Sequence, residues 1–206
     1  MGTDAAFWDR AAAAYARKPI KDTAGYERTL ARIQGHLSSG ASVLEVGCGT
    51  GMTAARLAPG VRRYLASDVS EKMIEIGRGR LGDGEAPNLA FHQADLHDPA
   101  LEGPWDAVLA LNVLHVVEDA PRAVRRIGDL VGPGGLFVSK TACLAEGGLA
   151  IRLLIRLMRL VGRAPRVSVL RAADLEAAVR EAGFDILESE DAQASPRVRF
   201  LIARKR

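Results

Sequence analysis

Two cysteines, Cys48 and Cys143, are all that 206 residues contain, and their separation matches no metal-type spacing. They read as reduced thiols in a cytoplasmic protein. No run of eighteen apolar residues exists, so no helix is expected to span a membrane. Residues Met1 to Arg10 bring acids early and no apolar stretch, so no secretory signal is expected. Internal repeats and low-complexity tracts are also missing. What remains is a chain that is 48% apolar, enough to build one globular domain with a real core. Two domains of ordinary size would be a squeeze.

Acids are missing locally rather than globally. Residues 147 to 173 hold six arginines and no acid, and residues 197 to 206 hold five basic residues and no acid. Together they carry +11, which leaves −8 on the rest of a chain whose formal net charge is +3. Two local basic patches are compatible with solvated surface or with a partner.

Along the chain, short apolar runs alternate with turn residues and segments of helical period. Ala41 to Val46 reads as a strand, followed by Gly47-Cys48-Gly49-Thr50-Gly51 and a helix over Met52 to Leu57 that Pro59-Gly60 ends. Arg62 to Ser67 is a second strand, and Ser70 caps a helix reaching Leu81. Leu89 to Gln93 and Trp105 to Leu111 are further strands. Asp119 caps the next helix, Pro121 suits its first turn, Val124, Ile127 and Val131 share a face, and Gly132-Pro133-Gly134 stops it. Gly135 to Lys140 is a fifth strand. A helix over Asp174 to Ala182 ends at Gly183, before strands over Phe184 to Ser189 and Val198 to Ala203. The alternation predicts an α/β fold, a doubly wound Rossmann-like sheet of seven strands with helices on both faces. The last two strands have only a short connection, so the final strand is expected to run antiparallel.

The glycine loop is the strongest local signal. Glycines after a strand let the chain turn sharply and let a ligand lie against main-chain atoms. Met52 stands where a dinucleotide-binding loop would carry its third glycine, which counts against a dehydrogenase. Asp68, at the end of the second strand, can accept hydrogen bonds from both hydroxyls of a ribose. A helix cap is the alternative for it, and Ser70 fills that place better. Asp95, at the end of the third strand, could take the exocyclic amine of an adenine or could simply make a turn. All three features fall at C-terminal strand ends, where open α/β sheets bind ligands.

In this order, Gly47-Cys48-Gly49-Thr50-Gly51, Asp68, Asp95, Asn112-Val113-Leu114-His115 and Gly132-Pro133-Gly134-Gly135 resemble the class I S-adenosylmethionine-dependent methyltransferases over residues 40 to 206. The small-molecule type, similar to quinone-biosynthesis and natural-product enzymes, is the nearest in flavour. The resemblance implies S-adenosyl-L-methionine as cofactor, S-adenosyl-L-homocysteine as product and no metal. It implies that Glu45 and the backbone of Gly47, Cys48, Gly49 and Gly51 hold the methionine part, with Asp68 on the ribose. Val69 and Met73 would pack on the adenine beside Asp95 and the Leu96 amide, and Asn112 would sit by the sulfonium end. Residues 1–38 resemble cap helices over the cofactor; there Tyr15 would touch the methionine carboxylate, or be a core tyrosine.

Methyl transfer is an in-line displacement from a leaving group already activated by its positive charge, so positioning carries most of the catalysis, about 7–11 kcal/mol. His115, three residues past Asn112, is the candidate base, with a structural role as the alternative. His92 and His97, which flank Asp95, read as surface residues. An Asn/Asp-Pro-Pro-aromatic tetrad after the fourth strand would suggest methylation of nucleic-acid bases; Asn112-Val113-Leu114-His115 differs, and no nucleic acid is expected as partner. Two cysteines cannot make an arsenical-methylating site, and no paired acids suggest a metal-dependent catechol site. The expected acceptor is a small, largely apolar molecule.

The core is expected over 41–140, a lid or insertion helix over 145–170, and the last helix and hairpin over 171–206. In Ile151 to Arg163, arginines recur at steps of four, three and four, which on a helix lines one face and leaves a broad apolar surface. Such a helix covers a core, closes over an apolar substrate or lies on an anionic membrane as a peripheral contact. Two other functions fit part of the pattern: a catalytically silent S-adenosylmethionine-binding regulatory module, and an NAD-dependent oxidoreductase, which Met52 and the reversed last strand disfavour.

Overall fold

Strand β1 (Ser42–Val46) is buried at all five positions, the pattern of a strand covered on both faces. The computed structural model describes residues 5–81, 86–147, 168, 170–192 and 195–206. Among them β1 pairs in parallel with β2 (Arg63–Asp68) on one side and β4 (Trp105–Leu111) on the other. Strand β3 (Leu89–Gln93) extends the β2 side, and β5 (Val131–Ala142) extends the β4 side, both in parallel. β7 (Ser195–Lys205) inserts antiparallel between β5 and β6 (Phe184–Ala192). The order β3-β2-β1-β4-β5-β7-β6 places the reversal of winding between β1 and β4, where sheets of this kind open to ligands. The seven strands and the reversed last one agree with the sequence.

Alternate side chains feed two apolar layers. Val43, Tyr64, Ala107, Val138 and Ile202 meet Leu30 and Ile33 of α2 (Thr23–His36), Ala54 and Leu57 of α3 (Met52–Leu57) and Ile74 of α4 (Glu71–Arg80). Leu44, Val108, Phe137 and Leu201 meet Val124 and Ile127 of α5 (Ala120–Leu130) and Leu175 and Val179 of α6 (Ala172–Glu181). Helix α1 (Ala5–Ala16) precedes them and packs on α4. Burying a large aliphatic side chain stabilises by about 1.5–3 kcal/mol, so these layers outweigh any surface contact. Arg32 of α2 still ties the layers to the sheet edge: it pairs with Glu188 and Glu190 of β6 and stacks on Phe200, with His36 Nε2 2.7 Å from Glu188.

The helix caps form as the sequence indicates. Ser70 Oγ accepts the Met73 amide at 3.1 Å, and Asp119 accepts the Arg122 amide at 2.9 Å. The fifth strand is longer than expected. Val131, assigned to the helix, is already extended and pairs with Trp105. The register then shifts before Ala107 meets Leu136, and Gly134 takes φ +72 within the interruption. An extra strand pair gives the backbone of this glycine- and proline-rich stretch partners that a helix stop would not. Helix α6 also starts before Asp174, which sits in its first turn, and β6 and β7 both outrun their predicted ends. The arginine-striped stretch, Ile151 to Arg163, lies outside the described residues.

Candidate functional site

The loop after β1 carries three left-handed glycines, Gly47, Gly49 and Gly51, at φ +67, +55 and +72. Its Cys48 amide donates to Ser67 O at 2.9 Å, which folds the loop back over the end of β2. A Cβ on Gly47 would lie 2.5 Å from Val113 Cγ2, so the loop presses against the tip of β4. A Cβ on Gly49 would meet only Tyr15, at 3.7 Å, which makes Gly49 the point where the loop is open to a ligand beneath α1. Met52 is exposed at the start of α3.

Asp68 closes this loop. One carboxylate oxygen accepts the Gly49 amide at 2.8 Å and the other the Ser70 amide at 2.9 Å. Asp68 is 8% exposed, and burial raises its pKa although the amides of Ser70, Gly49 and Val69 pull it down. A carboxylate offers about four lone-pair sites, so acceptor capacity for a hydroxyl is left. Ala94 N–H donates to Asp68 O at 3.0 Å, which sets Asp95 at the neighbouring strand tip. Asp95 is half-buried, and its Oδ1 accepts the His97 amide at 2.8 Å in a turn. Val69 and Leu96 are half-buried near these acids, whereas Met73 is buried on α4. The Leu96 carbonyl is engaged by Arg126 Nε at 3.3 Å.

Glu45 sits below the loop, 2% exposed, and accepts the Tyr64 hydroxyl at 2.8 Å. Burial raises its pKa to about 8, against the Tyr64 hydrogen bond and with a further push from Asp68. Burial also drives the Cys48 thiol well above its ordinary value. Helix α1 roofs the site. Asp9 accepts the Ser70 hydroxyl at 2.6 Å and the Lys72 amide at 3.2 Å, and Arg80 donates to Ala16 O at 3.0 Å. Tyr15 remains 46% exposed, yet burial of its hydroxyl, then Asp68 and Glu45, raise its pKa. Replacing Asp9 with alanine is expected to raise amide exchange in α1 at least about tenfold, from the loss of both hydrogen bonds that Asp9 accepts, while α5 stays unchanged. Equal rates in both proteins would mean that Asp9 does not hold the roof.

At the tip of β4, Asn112 adopts φ +59 and donates its amide to Lys140 O at 2.7 Å. Asparagine tolerates this left-handed conformation better than most residues. His115 follows in a 3-10 turn, Leu114–Val116, with its carbonyl accepting Ser168 N at 2.8 Å. Its Nδ1 is buried without a hydrogen-bond partner, and burial lowers its pKa, so the imidazole is neutral at pH 7. The structure therefore brings Tyr15, Glu45, Asp68 and the three glycines together, with Asp95 and Asn112 just past the ends of β3 and β4 and His115 in the turn after Asn112.

Two further clefts lie elsewhere. One, of about 360 Å³ between Arg62, Arg63 and Trp105, opens at the N-terminal strand ends, away from the loop. The other, of about 300 Å³, borders Gly51 and Met52 from the outer side, between Tyr26, Arg56 and Arg80. Sequence reasoning missed Tyr64 and Asp9. Both act across more than fifteen residues of chain, and neither belongs to a local pattern.

The donor set suits S-adenosylmethionine: a buried carboxyl without a cation for an ammonium group, an acid for a diol, and an open loop backbone. A family model described as a methyltransferase domain matches residues 15–189. Magnesium-protoporphyrin O-methyltransferase of Rhodobacter capsulatus is 35% identical over 92 residues, 44% of this chain and 41% of that protein. Ubiquinone biosynthesis O-methyltransferase of Paracidovorax citrulli is 25% identical over 168 residues, 78% of this chain and 70% of that protein. Against relatives such as the first, the chain spans about half their length or less. Magnesium protoporphyrin IX methyltransferase from Synechocystis PCC 6803, solved with bound S-adenosylhomocysteine, shares the fold at TM-score 0.70 and 22% identity, over 98% of this chain and 94% of that one. Because the family match runs through the loop and every strand tip around it, the chain belongs to the S-adenosylmethionine-dependent methyltransferase domains.

Proposed function

We propose that this domain transfers a methyl group from S-adenosylmethionine to an oxygen of a small, largely apolar acceptor. The observation that carries the reading is Asp68, which bridges the glycine loop and the start of α4 while keeping acceptor capacity toward the cleft. The choice of oxygen follows the O-methyltransferases to which the chain is similar.

When bound, the cofactor supplies a methyl group on a positively charged sulfur. Glu45 and the Gly47–Gly51 backbone hold the methionine part, Tyr15 reaches its carboxylate and Asp68 takes the ribose hydroxyls. Asp95, Val69 and the Leu96 amide frame the adenine, with Met73 beneath, and Asn112 holds the reacting end. His115 accepts the acceptor's hydroxyl proton as the oxygen attacks. Its lowered pKa keeps it a neutral base below the ordinary histidine value, so the acid limb of the rate falls only below about pH 6.5.

Residues 1–38 act as the cap, 41–140 as the cofactor core and 171–206 as the closing helix and hairpin. The protein is cytoplasmic in this reading and takes no nucleic acid. Among the described residues no helix is long and apolar enough to cross a membrane. Neither the silent regulatory module nor the NAD-dependent oxidoreductase finds support in the comparisons.

The test is calorimetry with S-adenosylhomocysteine, followed by label transfer from S-adenosylmethionine to a panel of alkylated catechols and hydroquinones. His115→Ala is expected to slow turnover about 10²–10⁴-fold with the cofactor affinity unchanged. Unchanged turnover would assign His115 to structure, and no cofactor binding at all would sink the assignment.

A further inference from the structure

Methyl transfer as proposed uses Glu45 but not the tyrosine that grips it. Tyr64 of β2 is fully buried and stands opposite Val43, two residues before Glu45 on the same face of β1. Its side chain runs along the sheet toward the strand tips and ends on Glu45 Oε2 at 2.8 Å. Besides Tyr64, the titratable groups around Glu45 among the described residues are Asp68 of β2, Cys48 of the loop, Tyr15 of α1 and Tyr26 of α2. None of them is a cation.

We propose that Tyr64 is a positioning residue that steers Glu45 toward the ammonium group of the bound methionine moiety, and that filling the site drives a proton from the Glu45 carboxyl into solvent. The inference rests on the cofactor reading above. Before the cofactor binds, the carboxyl is mostly protonated at pH 7, because its pKa is raised to about 8 by burial. An ammonium group placed beside it supplies the charge that the site lacks and favours the carboxylate. The proton is lost to buffer, no bond to carbon changes, and the Tyr64 hydroxyl goes on donating to the newly charged oxygen. Affinity should accordingly rise with pH between 6 and 7.5, since binding selects the deprotonated acid.

The experiment is calorimetry with S-adenosylhomocysteine at pH 7 in buffers of different ionisation enthalpy, which counts protons released. Release of most of a proton per cofactor is expected, since burial holds the carboxyl protonated before binding. Glu45→Gln should abolish the release. Tyr64→Phe removes only the hydroxyl, and should weaken binding about tenfold and move the pH profile upward, since the bond that favours the carboxylate is gone. Tight binding without proton release would overturn the proposal, as would a Tyr64→Phe profile identical to that of the parent. Should Tyr64→Phe fail to fold, the proton count on the unaltered protein and on Glu45→Gln still decides. No binding by the unaltered protein would overturn the cofactor reading and this inference with it.

Discussion

Replacing Asp68 with alanine is expected to lower the affinity for S-adenosylhomocysteine by about 10²–10⁴-fold, since the two charge-assisted hydrogen bonds proposed to a ribose are each worth about 1.5–3 kcal/mol. The loss has a second source. The amides of Gly49 and Ser70, now 2.8 and 2.9 Å from the carboxylate, would lose their acceptor. An orphaned buried amide costs about 1–3 kcal/mol, so the loop should loosen and the folded state should weaken together. Asp68→Asn separates the two effects: it keeps one carbonyl oxygen for an amide but loses the charge, and should fall between parent and alanine variant. Calorimetry reads the affinity and urea unfolding reads the stability. Binding within threefold of the parent in Asp68→Ala would remove Asp68 from the cofactor site.

Gly47→Ala should produce the largest loss of stability among single changes in the loop, about 2–5 kcal/mol. A left-handed backbone costs an alanine about 1–2 kcal/mol, and Gly47 holds φ +67. The methyl would also lie 2.5 Å from Val113 Cγ2 and 2.8 Å from its Cβ, in the tight joint between the loop and β4. Gly49→Ala is the control, since it carries the backbone cost at φ +55 but only an ordinary 3.7 Å contact with Tyr15. Adding Val113→Ala should rescue Gly47→Ala in part, because Cγ2 goes but Cβ stays. Urea unfolding of the four proteins gives the coupling energy; perfect additivity would show that loop and β4 do not touch as described.

Local pattern made much of the fold legible. Ser70 and Asp119 cap their helices as their spacing requires, and Gly183 ends α6 at φ +89. The reversed final strand followed from a connection too short for a crossover. β5 resisted the same reading: Gly132-Pro133-Gly134 has the composition of a helix stop, and only the partner strand at Trp105 makes Val131 extended. In the site, Asp68 could be placed at its strand tip from sequence, but its grip on the loop could not. The bonds from Tyr64 to Glu45 and from Asp9 to Ser70 join separate elements, and side chains that meet through tertiary packing leave no periodic trace.

The insertion of β7 between β5 and β6 dictates an order of assembly. Among the described residues β6 has no bonded neighbour in the sheet except β7. It precedes β7 in the chain, yet it can join only after or together with the strand that follows it. A growing polypeptide therefore holds β6 and its aspartates and glutamates (Asp185, Glu188, Glu190, Asp191) in waiting, without a ladder, until β7 has zipped onto β5. Those acids give the waiting strand a charge that discourages pairing with another copy. The sheet beyond β5 thus depends on the last strand of the chain for its ladder.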